Sequence, residues 1–579
     1  MRSGSVRRAW IASAAAALAC LVGAPGANAA IGFGDGLSAQ PADTQGGANT
    51  DFTINMPFTG SGPDDSVRDL TIHLPPGLIG NPTATPLCAV AQLNSEAGCP
   101  PATQVGEVTA NVEICVGILC LPNPLPINGS IHNLQPQPGE PARFGIVLNA
   151  APFSLPVLGN LVLPPIKQQS GVELRDDLGL DTVLNDIPNT AEIARIGPLP
   201  PVSGDIRITS QTLTLFGKVG NKTFMRNPTS CKQQVVRFDA TDHTDETATG
   251  RASFTTTGCD KIPFDPKLTA TVGSPGHTAP ASNPPLTTVI SQKANEAGLR
   301  RAEVILPPGV VAEAAVLGNE CPTPQFQASS CPASSIVGRA TAVTPLLTQP
   351  LSGQVSIVKP LQPGGLPNLG VDLKGPLPLQ LRGTFVLVPG PGNVFDGLPD
   401  TPITRFELNF DQDKLIATTR ELCEPPPPVF HAEFDGHNDR RRSSDVAADV
   451  EGCGKGAAKP TAKVKLKRSK SEHPQMKAKV KAGISGLKKM KLKLPKQLRF
   501  AGGRDFKRGA KASDGTLGAG KRKLKLKSDE GVTKFKVRVA KHGLDRVNAI
   551  KKGKRLRFPI TVTDVSGDTT KIKAKAKAR

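Results

Sequence analysis

The chain has 579 residues, with 70 Lys and Arg against 49 Asp and Glu, which gives a formal net charge of +21. With 58 Gly and 55 Pro, long helices are not expected. Tyr is absent and the single Trp lies near the N-terminus, so few aromatic side chains other than Phe are present for stacking on sugars or bases. This length is too great for one hydrophobic core and predicts three or four domains.

The N-terminus has the pattern of an export signal. Three arginines within the first eight residues precede an apolar stretch over residues 9–22, and Ala27-Asn28-Ala29 follows. A charged segment, an apolar segment and an Ala-x-Ala site in this order predict a signal peptide over residues 1–29 and a mature start at Ala30. No later apolar run reaches the 18 or more residues that a membrane-spanning helix needs.

Two variants of this signal remain open. Arg7-Arg8-Ala9-Trp10-Ile11 resembles a twin-arginine signal, and Ala17-Leu18-Ala19-Cys20 resembles a lipoprotein box that would lipidate Cys20. Both matches are imperfect, since Leu18 is unusual beside a lipidated cysteine and Val6 occupies a position that twin-arginine signals give to a polar residue. An ordinary apolar segment is the favoured interpretation.

Two long internal copies organise the rest of the chain. Residues 67–77 and 299–309 both read as an alternating strand stopped by Pro-Pro-Gly, and a cysteine pair closed by Cys-Pro follows each of them. A proline-rich loop and a second cysteine pair complete each copy. The Thr85-Pro86 pair predicts a helix N-cap and first turn, and hence a short helix between the strand and the disulfide loop.

The cysteines fit this repeat. Cys20 leaves with the signal peptide or carries a lipid, and the other ten form an even set, which in an exported chain indicates disulfides. Matching spacing in the two copies pairs four bridges within their own copies, and the two cysteines without counterparts form a local bridge. The predicted pairs are Cys88 with Cys99, Cys115 with Cys120, Cys231 with Cys259, Cys321 with Cys331, and Cys423 with Cys453.

Charge is strongly segregated along the chain. From Lys459 to Arg579 there are 39 Lys and Arg and 8 Asp and Glu, a net charge of +31, whereas the preceding residues have a net charge of −10. Several basic segments alternate Lys or Arg with apolar residues at period two, as in Lys489-Met490-Lys491-Leu492-Lys493. The pattern favours a folded module over a disordered tether, because each strand would bury one face and expose the other.

These observations predict a mainly β protein of tandem, immunoglobulin-like β-sandwich modules with disulfide-stapled loops and few short helices. The expected divisions are a signal peptide (1–29), repeat copy 1 (30–262), repeat copy 2 (263–455), a Lys-rich immunoglobulin-like module (456–570) and a loose basic tail (571–579).

A sheet face covered with lysine repels itself unless a polyanion or salt neutralises it. The expected partners outside a cell are anionic envelope polymers, namely wall phosphate polymers and acidic polysaccharide, or extracellular DNA. The alternative without a ligand is that these lysines keep the protein soluble and prevent the sheet edges from pairing with other strands. The candidate polyanion-binding residues are Lys463, Lys465, Lys489, Lys491, Lys493, Lys523, Lys525, Lys534 and Lys536.

Catalytic motifs are weak in this sequence. No Gly-x-Ser-x-Gly, His-Glu-x-x-His or phosphate-binding glycine loop occurs, so no cofactor, catalytic residue or small-molecule substrate is predicted. The segments 242–246 and 435–439 contain Asp, His and Asn or Glu, which suit either a metal ion or a hairpin tip; the spacing favours the tip. The alternative function is an exported carbohydrate-active hydrolase or lyase that acts on wall polymer through Asp239, Glu433 and Asp435.

The copies resemble multi-repeat secreted proteins of actinobacterial type. The resemblance rests on Leu-Pro-Pro-Gly-Leu (residues 74–78), the Cys-Pro loop that follows, and Pro-Gly-Glu-Pro (residues 138–141). It implies a secreted or cell-surface location and transfers no activity and no site residues. Taken together, the sequence predicts a secreted, non-enzymatic surface or matrix protein whose basic module docks on anionic polymers.

Overall fold

The computed structural model describes residues 31–578 except 118, 122, 156–158, 162–163, 195–201, 314–317, 412, 454–458, 484, 552 and 566. The predicted signal peptide therefore lies outside the described residues. Strands dominate and the helices are short, so the prediction of a mainly β fold with disulfide-stapled loops is confirmed. Three large hydrophobic clusters form the cores of copy 1, copy 2 and the basic module. No helix among the described residues is long and apolar enough to cross a bilayer.

Copy 1 is built around one large antiparallel sheet. Its strands are β1 (Gly32–Phe33), β2 (Ser38–Pro41), β3 (Phe52–Thr59), β4 (Val67–Leu74), β5 (Ile79–Gly80), β6 (Gln104–Val116), β7 (Leu119–Cys120), β8 (Leu125–Leu134), β9 (Ala142–Ala150), β10 (Phe153–Leu155), β11 (Gly159–Leu161), β12 (Ile166–Leu174), β13 (Leu180–Leu184), β14 (Thr190–Ala194), β15 (Val202–Leu215), β16 (Lys218–Val219), β17 (Lys222–Thr223), β18 (Met225–Arg226), β19 (Gln233–Asp242) and β20 (Thr247–Thr255). The main sheet has the order β1-β3-β15-β6-β8-β9-β12-β13-β4-β19-β20.

Copy 2 repeats this plan. Its strands are β21 (Lys267–Val272), β22 (Leu286–Ser291), β23 (Leu299–Ile305), β24 (Val310–Ala312), β25 (Ile336–Val343), β26 (Leu351–Val358), β27 (Asn368–Lys374), β28 (Leu379–Val386), β29 (Gly392–Asp396), β30 (Arg405–Phe410), β31 (Ile416–Thr418), β32 (Val429–Gly436), β33 (Arg441–Ala447) and β34 (Asp449–Val450). The main sheet has the order β33-β32-β23-β29-β28-β27-β26-β25-β30-β22-β21-β34.

Each of these sheets is folded over so that its two ends approach each other around one core. In copy 1 the ring of Phe33 on β1 lies 5.7 Å from that of Phe238 on β19, and Phe52 on β3 lies 5.4 Å from Phe254 on β20. In copy 2 the ring of Phe264, just before β21, packs on Gly436 at the end of β32. Closure of this kind buries apolar side chains from both layers, because alternate residues of every strand face inward.

The five disulfides have the pairing expected from the repeat. Cys88 and Cys321 occupy equivalent places in the two copies, and both are fully buried. The backbone of Cys88 pairs with Leu134 at the end of β8, and that of Cys321 pairs with Val358 at the end of β26, so each lies beside the strand that runs into the proline-rich loop. Cys231 joins Cys259 across the ends of the β19–β20 hairpin. The staples therefore close loops within each copy and leave the contact between the copies to noncovalent packing.

The short helices differ from expectation in their position. The helix of copy 1 is α1 (Val90–Asn94), which begins inside the disulfide loop, and its equivalent in copy 2 is α2 (Thr323–Gln327). Thr85 is not its cap; its hydroxyl accepts a hydrogen bond from the Asn133 amide at 3.1 Å. The helix forms where Leu93 packs on buried Cys88 and Leu134, so tertiary burial determines its start. Among the described residues there are also four 3₁₀ turns, Pro101–Thr103, Cys259–Lys261, Ala333–Ser335 and Lys541–Gly543.

A buried polar junction joins the two copies. The carboxylate of Asp400 in copy 2 accepts hydrogen bonds from the backbone N–H and the hydroxyl of Thr229 in copy 1, and both residues are buried. Arg226 donates to the carbonyl of Glu296 at 2.9 Å, and the Asn438 amide donates to the carbonyls of Cys259 and Ile262. Buried polar groups of this kind fix one relative orientation, since any other arrangement leaves them unpaired.

The basic module is a two-sheet sandwich with a separate core. Its elements are β35 (Thr461–Lys467), β36 (Gln475–Lys481), β37 (Leu487–Lys493), β38 (Leu498–Phe500), α3 (Gly503–Gly509), β39 (Ala510–Ser513), β40 (Thr516–Ala519), β41 (Lys523–Val532), β42 (Lys534–Val539), β43 (Leu544–Arg546), β44 (Arg555–Asp564) and β45 (Thr569–Lys577). One sheet has the order β35-β36-β42-β39 and the other β40-β41-β37-β44-β45.

The expected loose tail over residues 571–579 needs correction. Residues 571–577 belong to β45, which pairs with β44 in an unbroken register from Thr563 opposite Thr569 to Arg555 opposite Lys577. Ala574, Ala576 and Ala578 are buried. Small alanines alternate with lysines here, and alanine suffices to fill this edge of the core, so the segment is a strand despite its charge.

The disulfide pattern is directly testable. Peptide mapping of the exported protein under non-reducing conditions should find each half-cystine joined to its partner at a sequence separation of 5 to 30 residues. Each bridge is expected to stabilise the fold by roughly 2 to 4 kcal/mol. A peptide that joins a cysteine of copy 1 to one of copy 2 would contradict the repeat-based architecture.

The separate core predicts that residues 459–579 fold alone. In this module Leu492→Asp should abolish folding, because Leu492 is 1% exposed and burying a carboxylate costs several kcal/mol, comparable to the stability of a small domain. The neighbouring Lys491→Gln is the matched control, since Lys491 is exposed and its substitution should leave the melting temperature nearly unchanged. Thermal unfolding followed by circular dichroism measures both; equal melting temperatures would contradict the assigned faces.

Candidate functional site

The site begins with strands whose alternate residues are Lys or Arg. In β36 the residues Met476, Ala478 and Val480 are buried and the lysine that follows each of them is exposed, and β35 and β42 follow the same pattern. Aliphatic side chains drive one side of each strand into the core, so the period of two forces every cation to the outside.

Cross-strand register then places these cations in rows. Lys465, Lys477 and Arg538 are directly paired neighbours, and Lys511 continues the row; Lys463, Lys479 and Lys536 form the next row. Paired side chains lie about 4.5–5.5 Å apart at their Cβ atoms, and rows are about 6.6 Å apart. We call this surface the first Lys face. Its ten cations are Lys463, Lys465, Lys467, Lys477, Lys479, Lys481, Lys511, Lys534, Lys536 and Arg538.

The opposite sheet carries a second Lys face. Lys491 pairs with Lys525, and Lys493 pairs with Lys523, while Arg557 pairs with Lys575 towards the other edge. Thr561 and Pro559 separate these two groups of cations, so this face is less uniform than the first. Its twelve cations are Lys489, Lys491, Lys493, Lys523, Lys525, Lys527, Arg555, Arg557, Lys571, Lys573, Lys575 and Lys577.

The candidate residues predicted from sequence are therefore divided between two surfaces. Lys463, Lys465, Lys534 and Lys536 lie on the first Lys face, whereas the other five lie on the second Lys face. Sequence reasoning missed Lys477, Lys479 and Lys481 at the centre of the first face. Their signal was present in Gln475-Met476-Lys477-Ala478-Lys479-Val480-Lys481, which alternates as regularly as the segments that were singled out.

Like charges dominate the first Lys face. None of its ten cations forms an ion pair with any described residue, and no carboxylate occurs in its four strands. The ammonium group of Lys481, together with those of Lys534, Lys536 and Lys463, lowers the pKa of Lys479 below its ordinary value. A fully exposed lysine with a lowered pKa reports a positive potential that bulk water does not fully screen.

In copies 1 and 2, by contrast, several cations of the strands form ion pairs with carboxylates. On copy 1, Arg143 contacts Glu140 at 2.6 Å and Arg207 contacts Glu113 at 2.7 Å. On the second Lys face Lys527 lies 3.5 Å from Asp529. The contrast distinguishes the first Lys face from an ordinary solvated surface, where both signs are interspersed.

The Asp-His loops are hairpin tips. Asp242 accepts hydrogen bonds from the backbone N–H groups of Thr244 at 2.8 Å and Glu246 at 3.0 Å, which closes the turn between β19 and β20. His243 and His437 each donate a ring N–H to a backbone carbonyl, those of Ile187 and Leu398. No group of three or more metal-ligating side chains is found among the described residues, and the local geometry fits the turn interpretation.

The three carboxylates of the alternative enzymatic hypothesis do not form one cluster, because Asp239 is in a different copy from Glu433 and Asp435. Asp239 lies on copy 1, 2.9 Å from Nε2 of His73, whereas Glu433 and Asp435 lie on β32 of copy 2. Asp435 is buried and paired with Arg441 at 2.8 Å. Glu433 lies 3.5 Å from His431, and hydrogen bonding to Asp445 raises the pKa of His431. Asp239 therefore lies in a charged network of copy 1, whereas Asp435 and Glu433 lie on one strand of copy 2 and both raise the pKa of Arg441.

The potential at the first Lys face predicts a titration. Lys479 in the folded module should titrate below 10.5, and saturation with a polyphosphate should move its pKa upward, because bound anions favour the charged form. As the pH rises through the lowered pKa, the repulsion on this face is relieved and the module gains stability. NMR titration of the lysine side chains measures both effects; a Lys479 pKa at or above 10.5 without ligand would contradict the proposed potential.

Comparison with known proteins adds little. No family model matches the chain, and no curated protein matches it. Among solved structures, "Biofilm associated protein - B domain" is 9% identical, covering 53% of this chain and 84% of its own, with a TM-score of 0.16. "Crystal structure of tetra-tandem repeat in extending region of large adhesion protein" is 8% identical, covering 95% and 99%, with a TM-score of 0.15. TM-scores this low carry no argument about fold or function.

Proposed function

We propose that this protein is a secreted, non-enzymatic surface or matrix protein whose C-terminal sandwich docks on anionic envelope polymers. The observation that carries the proposal is the first Lys face, with ten cations in register and no carboxylate in its strands. A regular array of this kind suits a repeating polyanion such as a wall phosphate polymer, an acidic polysaccharide or extracellular DNA. Binding would rest on charge and be independent of sequence.

An extracellular location is supported by covalent chemistry. Five disulfides in one chain are typical of proteins that mature in an oxidising compartment. The signal peptide predicted from sequence points to the same compartment. In such a setting, abundant polyanions lie on or near the cell envelope, which is where a basic docking module would act.

The two Lys faces give the module a further property. They lie on opposite sides of one sandwich, so a single extended polymer chain is not expected to cover both at once. We infer that the module bridges two polymer chains, one on each face. The acidic copies, with a net charge of −13 over residues 30–455, would stay away from the polymer and project from it.

The first Lys face is tested by removing its central cations. Replacing Lys477, Lys479 and Lys536 together with Gln should weaken the binding of a short poly(glycerol phosphate) to the first Lys face roughly 100-fold at low salt, at about 1 kcal/mol for each cation, so that two binding events per protein become one, on the second Lys face. The matched control replaces the same three residues with Arg, which keeps the charge and should keep most of the affinity. Fluorescence anisotropy with a labelled polymer measures the change. Equal affinity of the Gln and Arg variants would leave these lysines as solubility devices.

Bridging is tested separately by turbidity. The wild-type protein should cross-link long polyphosphate into light-scattering particles near charge equivalence. The Lys477→Gln, Lys479→Gln, Lys536→Gln variant should still bind through the second Lys face and fail to cross-link. Cross-linking that persists unchanged in this variant would contradict the assignment of one polymer chain to each face.

A further inference from the structure

Copy 2 encloses an apolar cavity between the two layers of its folded sheet. The cavity has a volume of about 150 Å³. That is enough for a benzene-sized molecule or part of an aliphatic chain, and apolar cavities of this size bind such molecules in other proteins. Its walls come from strands on both layers, and include Ala302, Val304, Leu306, Leu381, Phe395 and Leu408.

The same place in copy 1 holds a second cavity, of about 190 Å³. Ile72 and Leu74 line it from the strand before Pro-Pro-Gly, as Val304 and Leu306 line the cavity of copy 2. Copy 1's cavity is partly walled by copy 2 itself, through residues such as Leu347. Good packing leaves few large voids, so a void repeated at equivalent positions is a feature of the architecture and not a local packing fault.

The cavity of copy 2 has an apolar mouth. Leu387 and Leu366, which both line it, are 64% and 42% exposed, and Val388 beside Leu387 is 85% exposed. These residues belong to two loops, the proline-rich loop before β27 and the connection between β28 and β29. Large aliphatic side chains exposed together beside a cavity are typical of a ligand-binding or interaction surface.

Among the polar side chains of this lining, Asn393 is the one with buried polar atoms that lack a hydrogen-bond partner. Asn393 at the start of β29 lines the cavity, and neither its amide nitrogen nor its amide oxygen has a hydrogen-bond partner or exposure to solvent. The missing side chain of Gly383 makes room for it, since a Cβ there would lie 2.0 Å from Oδ1 of Asn393. An unpaired buried amide costs about 1–3 kcal/mol, which a ligand with a hydrogen-bonding group would recover.

Copy 1 has a polar residue at the equivalent point. Asn393 pairs with Val304, and Thr182 pairs with Ile72, the counterpart of Val304. Thr182 also lines its cavity. Each cavity therefore combines mostly apolar walls with a hydrogen-bonding side chain at this equivalent strand position.

We propose that copy 2 binds the acyl chain of a single-chain lipid. The chain occupies the cavity, its carboxyl or ester group hydrogen-bonds to the amide of Asn393, and the polar remainder of the lipid leaves past Leu387. Aliphatic walls select a slim hydrocarbon, and the amide near the mouth selects a hydrogen-bonding end over a pure hydrocarbon. This ligand is independent of the polyanion proposed for the basic module.

Fatty acids of graded length provide the first test on the full mature protein. Displacement of a fluorescent fatty acid should show affinity rising by roughly fourfold for each added methylene from butanoate upward, then levelling once the cavity is full. The alkane of equal length should bind more weakly than the acid. No displacement at any length, or equal affinity for alkane and acid, would overturn the proposal.

Two variants locate the site. Ala302→Leu introduces into the wall the residue that copy 1 carries at the equivalent position, Leu70, and should abolish one equivalent of binding while keeping the protein folded. Asn393→Leu should remove the preference for acid over alkane. Leu361→Asp is the control, since Leu361 is 68% exposed and does not line the cavity. If Ala302→Leu is folded by circular dichroism and binds with unchanged stoichiometry, the proposal fails; if it does not fold, unchanged selectivity in Asn393→Leu is the overturning result.

Discussion

The structure of the C-terminal sandwich depends on one constraint, which is that alternate residues of a strand must face opposite sides of a sheet. Aliphatic residues such as Val480 and Val537 take the inner side and form a core without any cysteine. The lysines between them must therefore lie on the outer side of the sheet. Hydrophobic burial thus holds like charges at neighbouring registers, and the free energy of the core opposes their repulsion.

Copies 1 and 2 are each held together by sheet closure and disulfides, and they are joined by buried polar contacts. Copies 1 and 2 carry ordinary mixed charges, and their large sheets fold over and close on themselves, with disulfides fastening the loops at the ends. Buried contacts such as Thr229 with Asp400 set the angle between the copies. The result is two similar units held in one relative orientation beside one strongly basic unit, and the contrast in charge distinguishes the basic end from the remainder.

Much of this could be predicted from sequence because it follows from local patterns. The disulfide pairing follows from repeated spacing, and the strands of the basic module follow from period-two alternation. The prediction of a loose tail was wrong for a physical reason. The charge of this segment suggested disorder, but Ala574 and Ala576 are small enough to fill the edge of the core. The helix near Thr85 was misplaced because packing on Cys88, and not a capping side chain, decides where α1 begins.

Other features depend on register, which a single sequence does not reveal. The division of the candidate lysines between two faces requires knowing that Lys463 pairs with Lys479 and Lys491 with Lys525. The apolar cavities arise only when distant strands close over one another, and nothing in the local pattern around Asn393 marks it as an unpaired amide. Sequence patterns therefore predicted the elements, while the surfaces came from how the elements pair.

The most direct test of the account is the salt dependence of polymer binding by the whole protein. If several cations of a Lys face each displace a counterion, the logarithm of the association constant should fall linearly with the logarithm of salt concentration. The slope should be about −0.7 to −0.9 for each phosphate neutralised. For the Lys faces described here, a slope of about −4 or steeper between 50 and 200 mM salt is the predicted result. Tight binding with a slope near zero would contradict electrostatic docking.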